Sequence, residues 1–479
     1  MIPFGSQEQK IKPKILINIG SLLDIPTGFI STGKKGESII NGGLGQLTGL
    51  VGRGNNYKST IMHYMMLSAA DKVMGTHKTN MITYDTEINI HPDRLMALSS
   101  KFNNIPQDAI TGEEGIWSIM DKTQVPGNKF AVELNKFSEA KQKDKASRIK
   151  VDCFKDPYSN NPLEMLVPSF MEIDSLSEFE AESTVDMLSN DLDSSDTNTF
   201  AMKQGLFKSK FLSALPRIAN MSNTYIMFTA HIGSKINMAT GPAAMAAPVK
   251  DLQYLKQGDS IKGISTKFFF LLNNAWFLHT AQPLVNQGTK LAEYPSSEST
   301  NAANDLNIVR MTQLRSKSGS SGYTISIVIS QDEGVLPTLT EFHHIKENDR
   351  FGLSGNNIHY SLDLYPDVSL QRTTVRTKID SDPKLRRAIN ITSELLQLKN
   401  FKSEFSSDEL WCSPKELYED IKKLGYDWNV LLETRGYWTV DQYTNPIPFL
   451  STIDLLKMRK GLYTPYFLNN NKKENKNEK

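Results

Sequence analysis

Cysteine is scarce: two residues, Cys153 and Cys412, in a chain of 479. They lie far apart, so neither a disulfide framework nor a zinc-type spacing is written in the chain. Usage this sparse suits a reducing cytoplasm. Long apolar runs are absent too, and no stretch reaches the length that spans a bilayer. The opening "MIPFGSQEQK" lacks the apolar core of a secretory signal. Excess charge of either sign is missing, since 54 Lys and Arg face 53 Asp and Glu. A nucleic-acid partner therefore cannot be inferred from net charge, and any basic surface must be local. Repeats at solenoid periods are also absent.

What remains is ordinary globular composition, enough for two or three domains. Residues 1–40 read as a short N-terminal segment. Residues 41–355 alternate turn, helix and strand, the rhythm of an α/β core with a mostly parallel sheet. "INGGLGQLTGLVG" predicts a turn and a buried strand. "KSTIMHYMMLSAADKVM" predicts a helix, and "TNMITYDTE" the next strand. Residues 101–160 read as a surface insertion holding a charged helix at "KFSEAKQKDKASRIK". "LEMLVPSFMEIDS" predicts a strand, "MKQGLFKSKFLSALPRIANM" a helix, and "NTYIMFTAH" a strand. "TKFFFLLNNAWFLHT" and "GYTISIVIS" carry strand character. Residues 281–305 read as polar loop, and the pattern weakens around 355–380. Residues 356–468 form a mainly helical C-terminal domain, in which "SPKELYEDIKKLGYDW" opens with a Ser cap and a Pro at the first helical position. Residues 469–479 read as a disordered tail.

The chemistry-bearing stretch is "GRGNNYKST", residues 52–60. It approaches G-x-x-x-x-G-K-[ST], in which glycines let backbone N–H groups turn toward phosphate. In that pattern a lysine reaches the β and γ phosphates and a hydroxyl meets Mg²⁺. Gly52, Arg53, Gly54, Asn55, Asn56 and Tyr57 would form the cradle, with Lys58, Ser59 and Thr60 at the helix start. Tyr57 stands where the second glycine belongs, at a position that tolerates a side chain pointing outward. The plain reading is a Gly-rich turn with a surface lysine. Strand-end acids weigh against it. Asp85 and Glu87 end one strand, and a carboxylate there can orient or deprotonate water. Asp174 ends another, where it would hold Mg²⁺ together with Ser59. His231 ends a third, and ligands of parallel sheets bind beyond the carboxyl ends.

The ordered set "GRGNNYKST", "YDTEINIHPDRL", "MEIDSLSEF", "TYIMFTAHIG", "IKGISTKFFFLLNNAWF" and "LRSKSGSSGYTISIVISQDEGV" resembles a RecA-family recombinase of the bacteriophage UvsX type. The likeness covers roughly residues 15–355. It implies a P-loop ATPase core using ATP and Mg²⁺, and a homo-oligomer with ATP bound between neighbouring subunits. Helical filaments on single- and double-stranded DNA are implied, promoting homologous pairing and strand exchange. Glu87 would be the catalytic glutamate, Asp174 the Walker B acid and His231 the polar switch. Arg315 and Lys317 would reach a neighbour's ATP, although "RSKSGSSG" also reads as a solvated turn. Arg94 would stack on adenine. Two loops would grip DNA, the second through Lys235, Lys250, Lys256 and Lys262. The first fits less well. Residues 172–196 hold nine acids and no Lys or Arg, so DNA binding is left to Lys203, Lys208 and Lys210 or is altered. An N-terminal docking element would be short, with Phe4 as anchor, or absent. The alternatives are a DnaB-type hexameric helicase, forming a ring, and a non-catalytic paralogue that keeps the fold. The expected setting is the cytoplasm of a bacterial or phage-infected cell, with no membrane partner.

Overall fold

A computed structural model describes residues 13–112, 115–181, 194–234, 252–296, 304–319, 321–356, 358–401 and 409–468; the side chains of 194–201 are not described. The chain is an α/β protein built on one large mixed sheet, mostly parallel and flanked by helices. This architecture is compatible with a P-loop-type core. The strands are β1 (Leu47–Gly52), β2 (Met81–Asp85), β3 (Trp117–Asp121), β4 (Ser169–Asp174), β5 (Thr224–Ser234), β6 (Asn274–Leu278), β7 (Leu306–Ser316), β8 (Thr324–Ser330) and β9 (Gly334–Val335). Their order across the sheet is β9-β8-β7-β6-β1-β5-β4-β2-β3. From β6 to β3 every pairing is parallel, and the β7–β9 end is antiparallel.

Buried parallel strands must be apolar on both faces, and "LTGLVG" and "SFMEID" are buried at every position. Helices cross between them: α1 (Ser21–Thr27) precedes β1, and α2 (Lys58–Met74), α3 (Pro92–Ser99), α4 (Gly127–Lys143) and α5 (Ser194–Ser222) follow β1, β2, β3 and β4 in turn. α2 buries Ile61, Met62, Met65, Met66, Leu67, Ala69, Ala70 and Val73. That burial extends beyond the single apolar face the sequence predicts.

Several elements differ from expectation. Thr266–Phe269 is a helical turn, not a strand, and only Asn274–Leu278 of that run joins the sheet. The Pro168 break splits "LEMLVPSFMEIDS" into Pro162–Leu166 and β4. The charged helix ends at Lys143, and Arg148–Lys155 forms a hairpin with Pro162–Leu166. The weak region near 355 holds a small antiparallel sheet of Leu353–Gly355, His359–Leu362 and Tyr365–Gln371. Ahead of β1, Phe29–Thr32 pairs with Ser38–Asn41. The tail 469–479 and Phe4 lie outside the described residues.

The C-terminal helices are α7 (Val375–Ser381), α8 (Pro383–Asn400), α9 (Pro414–Lys423), α10 (Trp428–Leu432) and α11 (Thr452–Arg459); α6 (Pro337–Glu347) precedes them. α9 has the expected Ser413 cap, closed into a capping box by Glu416. One apolar cluster runs from Val328, Leu339 and Phe342 of the core into Leu385, Ile389, Leu395 and Leu455. Among the described residues no helix is long and apolar enough to cross a membrane.

Glu341 pins this joint. Its buried Oε1 accepts the Ser21 hydroxyl at 2.7 Å and the Asn390 amide at 2.9 Å. Burial pushes its carboxyl up to about 7. A raised carboxyl adds stability below its unfolded value, and that stability is lost as pH rises through the folded value. Urea unfolding of the full chain should therefore show lower stability at about pH 8 than at about pH 5. Glu341→Gln should narrow the difference, and an unchanged difference would assign it to other groups.

Candidate nucleotide site

The carboxyl ends of β1, β2, β4 and β5 meet at one edge of the sheet. Gly52 lies in register with His231, and Asp85 with Asp174. The loop after β1 is held by fixed contacts. A Cβ on Gly52 would stand 2.9 Å from the Leu278 carbonyl, so close approach demands glycine. The Asn56 amide donates to that carbonyl at 3.2 Å. Asn55 and Tyr57 both take φ of 56°. A Cβ on Gly54 would meet nothing within 4 Å, so the loop's outer face is open.

Tyr57 is the N-cap of α2 and makes no side-chain cap. Left-handed backbone costs a non-glycine residue about 1–2 kcal/mol. The side chain offsets this away from the loop: its ring packs on the core, and its hydroxyl accepts the Asn307 amide at 2.9 Å. The first amides of α2 therefore have neither helical nor side-chain acceptors, an arrangement that favours an anion.

Lys58 is buried beside this loop and donates to the Arg53 carbonyl at 2.7 Å. Burial lowers its pKa, against the charges of Asp174 and Glu87. Asp174 Oδ1 accepts the Thr229 hydroxyl, while Oδ2 is buried without a partner. Burial raises the Asp174 carboxyl, opposed by the Thr229 hydrogen bond and the nearby Ser59 hydroxyl. An orphaned carboxylate oxygen beside a serine hydroxyl suits Mg²⁺ or its water shell, since Mg²⁺ takes one or two protein oxygens and fills its shell with phosphate and water. Among the described residues no group of three or more His, Cys, Asp or Glu could hold a metal alone.

Asp85 and Glu87 have separate tasks. Asp85 is buried, and its two oxygens accept the amides of Glu87, Ile88, Asn89 and Ile90 at 2.8–2.9 Å. It is an anchor for the loop and is not free for water, contrary to the paired reading of the two acids. Glu87 projects past the strand, with Oε1 2.7 Å from His231 Nε2. Burial raises its carboxyl, but the hydrogen bond to His231, the neighbouring Ser175 hydroxyl and the nearby charges of His231 and Lys58 outweigh it and hold the group below its ordinary range. Glu87 is therefore ionised at neutral pH. Beneath the site, His63 Nδ1 lies 2.9 Å from Glu172 Oε2, which also accepts the Thr83 hydroxyl at 3.1 Å.

Other expected residues lie elsewhere. Arg94 donates to the carbonyls of Gln331, at 2.6 Å, and Asp332, so it straps α3 to the β8–β9 turn. Arg315 pairs with Ala275 near the amino end of β6, at the opposite edge of the sheet. There its guanidinium lies 5.6 Å from the Phe270 ring centre, and Lys317 donates to the Leu271 carbonyl at 2.7 Å. One chain does not bring these cations to Lys58. Lys235 and Lys250 fall outside the described residues. Lys256 and Lys262 are exposed, and Asp259–Ile261 pairs with Ile232–Ser234 beside His231. Arg53 reaches Asp259 at 3.5 Å. Lys203 and Lys210 are exposed, whereas Lys208 turns inward to the Ser177 carbonyl.

Sequence reasoning missed Thr229, Ser177 and Asn307. Thr229 had a signal, since it shares a strand face with His231 two residues on; the other two are joined only by the fold. A cleft of about 820 Å³ between α2 and the C-terminal helices runs along α2 from Thr60 to Lys72, and no residue of the 52–59 loop lines it. Of its cations, Lys101 is paired with Glu333 and Arg376 with Asp305 and Glu333. The chemistry gathers at the strand ends instead. The chain matches no protein-family model and no curated protein.

Two substitutions test this geometry. Asp85→Ala strands four amides and should cost about 3 kcal/mol in denaturant unfolding. Tyr57→Phe removes one hydroxyl and should cost about 1 kcal/mol. A neutral Asp85→Ala would refute the anchor.

Proposed function

We propose that the chain is an ATP-dependent DNA recombinase of the RecA type, binding single-stranded DNA and promoting homologous pairing. The observation that carries the proposal is the convergence at one strand-end crevice of Lys58, the uncapped start of α2, Asp174 with its unpartnered oxygen, and the Glu87–His231 pair. Such a set handles a phosphoryl group, because catalysis there consists of positioning and charge stabilisation.

In this reading Lys58 leaves the Arg53 carbonyl for the β and γ phosphates, and the amides of the loop and first helical turn cradle the remaining oxygens. Ser59 and Asp174 would hold Mg²⁺, which when bound neutralises charge developing on the phosphates. Glu87 orients the attacking water and takes its proton as the bond to the leaving ADP breaks. His231 holds Glu87 in position and reports the phosphate to the strand's downstream segment. Arg315 and Lys317, at the far edge of the sheet, act on the ATP of the next subunit. A head-to-tail contact of that kind yields a filament if open and a ring if closed, so a ring helicase is the competing form.

The reading is tested by ATP hydrolysis with and without single-stranded DNA, followed by imaging. DNA-stimulated turnover with helical filaments is expected. Rings that unwind forks would make the chain a helicase, and no turnover would make it a binding subunit. Lys58→Ala should abolish ATP binding. Glu87→Gln should bind ATP but lose turnover by about a hundredfold or more. Normal hydrolysis in that variant would refute the base. Arg315→Ala should lower turnover by about a thousandfold, only in assembled protein; equal loss in isolated subunits would refute the action in trans.

A further inference from the structure

A compact hub lies beside His231 and joins four stretches of chain. Ser177, three residues beyond Asp174, accepts the His231 backbone N–H through Oγ at 2.9 Å. The same hydroxyl donates to the Lys262 carbonyl at 3.1 Å. Lys262 N–H in turn donates to the His231 carbonyl at 2.9 Å. Lys208 of α5 completes the hub by donating to the Ser177 carbonyl at 2.9 Å. Gly263 takes φ of +66°, and a Cβ there would stand 2.8 Å from Lys208 Nζ, so the backbone passes directly against the ammonium group. Burial lowers the Lys208 pKa to about 8, against the charges of Glu178 and Glu180. Lys203 and Lys210 on the same helix are exposed instead.

We infer that Lys208 is a positioning residue that locks the segment after β4 to the segment after β5, and so sets His231 against Glu87. The inference rests on the proposed function. A lysine reaching for a DNA phosphate would extend into solvent; this one is turned toward a carbonyl between two backbones. The path to the chemistry is short: Lys208 fixes Ser177, Ser177 fixes the His231 backbone, and the His231 ring holds Glu87 at 2.7 Å. Engagement of either segment by DNA thus reaches Glu87 through one shared junction.

The test uses the full chain with ATP, Mg²⁺ and an oligothymidylate single strand. Lys208→Met should leave oligothymidylate affinity near wild type, yet cut DNA-stimulated turnover at saturating strand by about tenfold, the size of an ordinary coupling energy. Lys208→Arg, which can still donate to Ser177, should restore stimulation. Loss of affinity with stimulation recovered at saturation would make Lys208 a DNA contact and overturn the inference, as would unaltered stimulation or failed rescue by Lys208→Arg. If Lys208→Met does not fold, Ser177→Ala must show the same split, and retained stimulation there overturns the inference. A wild-type chain without DNA-stimulated turnover would instead sink the functional reading itself.

Discussion

Asp85 accepts four backbone N–H groups through two buried oxygens, and the edge of the site takes its shape from that contact. A carboxylate with several amide donors is a strong, directional knot, because charged hydrogen bonds hold roughly twice as well as neutral ones. It turns the chain sharply after β2, at the cost of Ile88 in left-handed backbone. The turn sends Glu87 outward to His231 and Thr86 inward, where its hydroxyl bridges the Ser175 amide and carbonyl at 2.7 Å. β2 and β4 are thereby fixed where Asp174 ends. Without the knot, Glu87 would hang on a free loop and its distance to His231 would be undefined.

Asp174 shows the complementary case. It keeps one oxygen without a partner inside the protein, which costs about 1–3 kcal/mol for a buried polar group and more when charged. A folded chain retains such a cost where a ligand relieves it. The Lys58 contact has the same character. Its ammonium rests on the Arg53 carbonyl, a local acceptor that a phosphate outcompetes by charge. Under the proposed reading both groups await an anion with its cation, whereas the His63–Glu172 pair below them joins α2 to β4.

Much of this was legible in the chain. The Lys58–Met74 helix and the strands ending at Gly52, Asp85 and Asp174 follow from period and burial, because both faces of a parallel sheet are covered and its strands read as apolar runs. The same rule misleads at "TKFFFLL", where three aromatics mimic a strand but Phe268 and Phe269 sit in a helical turn that ends at Phe270. It fails again at Leu353–Gln371, whose half-exposed strands carry little apolar signal. The difference between Asp85 and Glu87 was invisible, since it depends on where the backbone turns after the strand. Tyr57 was legible as an exception and illegible in direction: only the fold brings Asn307 to its hydroxyl across 250 residues.

The placement of charge on the sheet carries the last step. Acids that would serve phosphoryl transfer lie at the carboxyl edge, while Arg315 and Lys317 lie at the amino edge of the same layer. A rigid sheet cannot fold those edges onto each other, so one chain holds both halves of the proposed site and joins neither. Phe270 and Leu271, 54% and 39% exposed, lie beside the two cations and give that edge an apolar surface as well. A second copy placed with its carboxyl edge against this amino edge would supply the acids that the cations lack, and its own amino edge would remain open for a third. Under the proposed reading, the separation of Lys58 from Arg315 within one chain would make hydrolysis a property of neighbours.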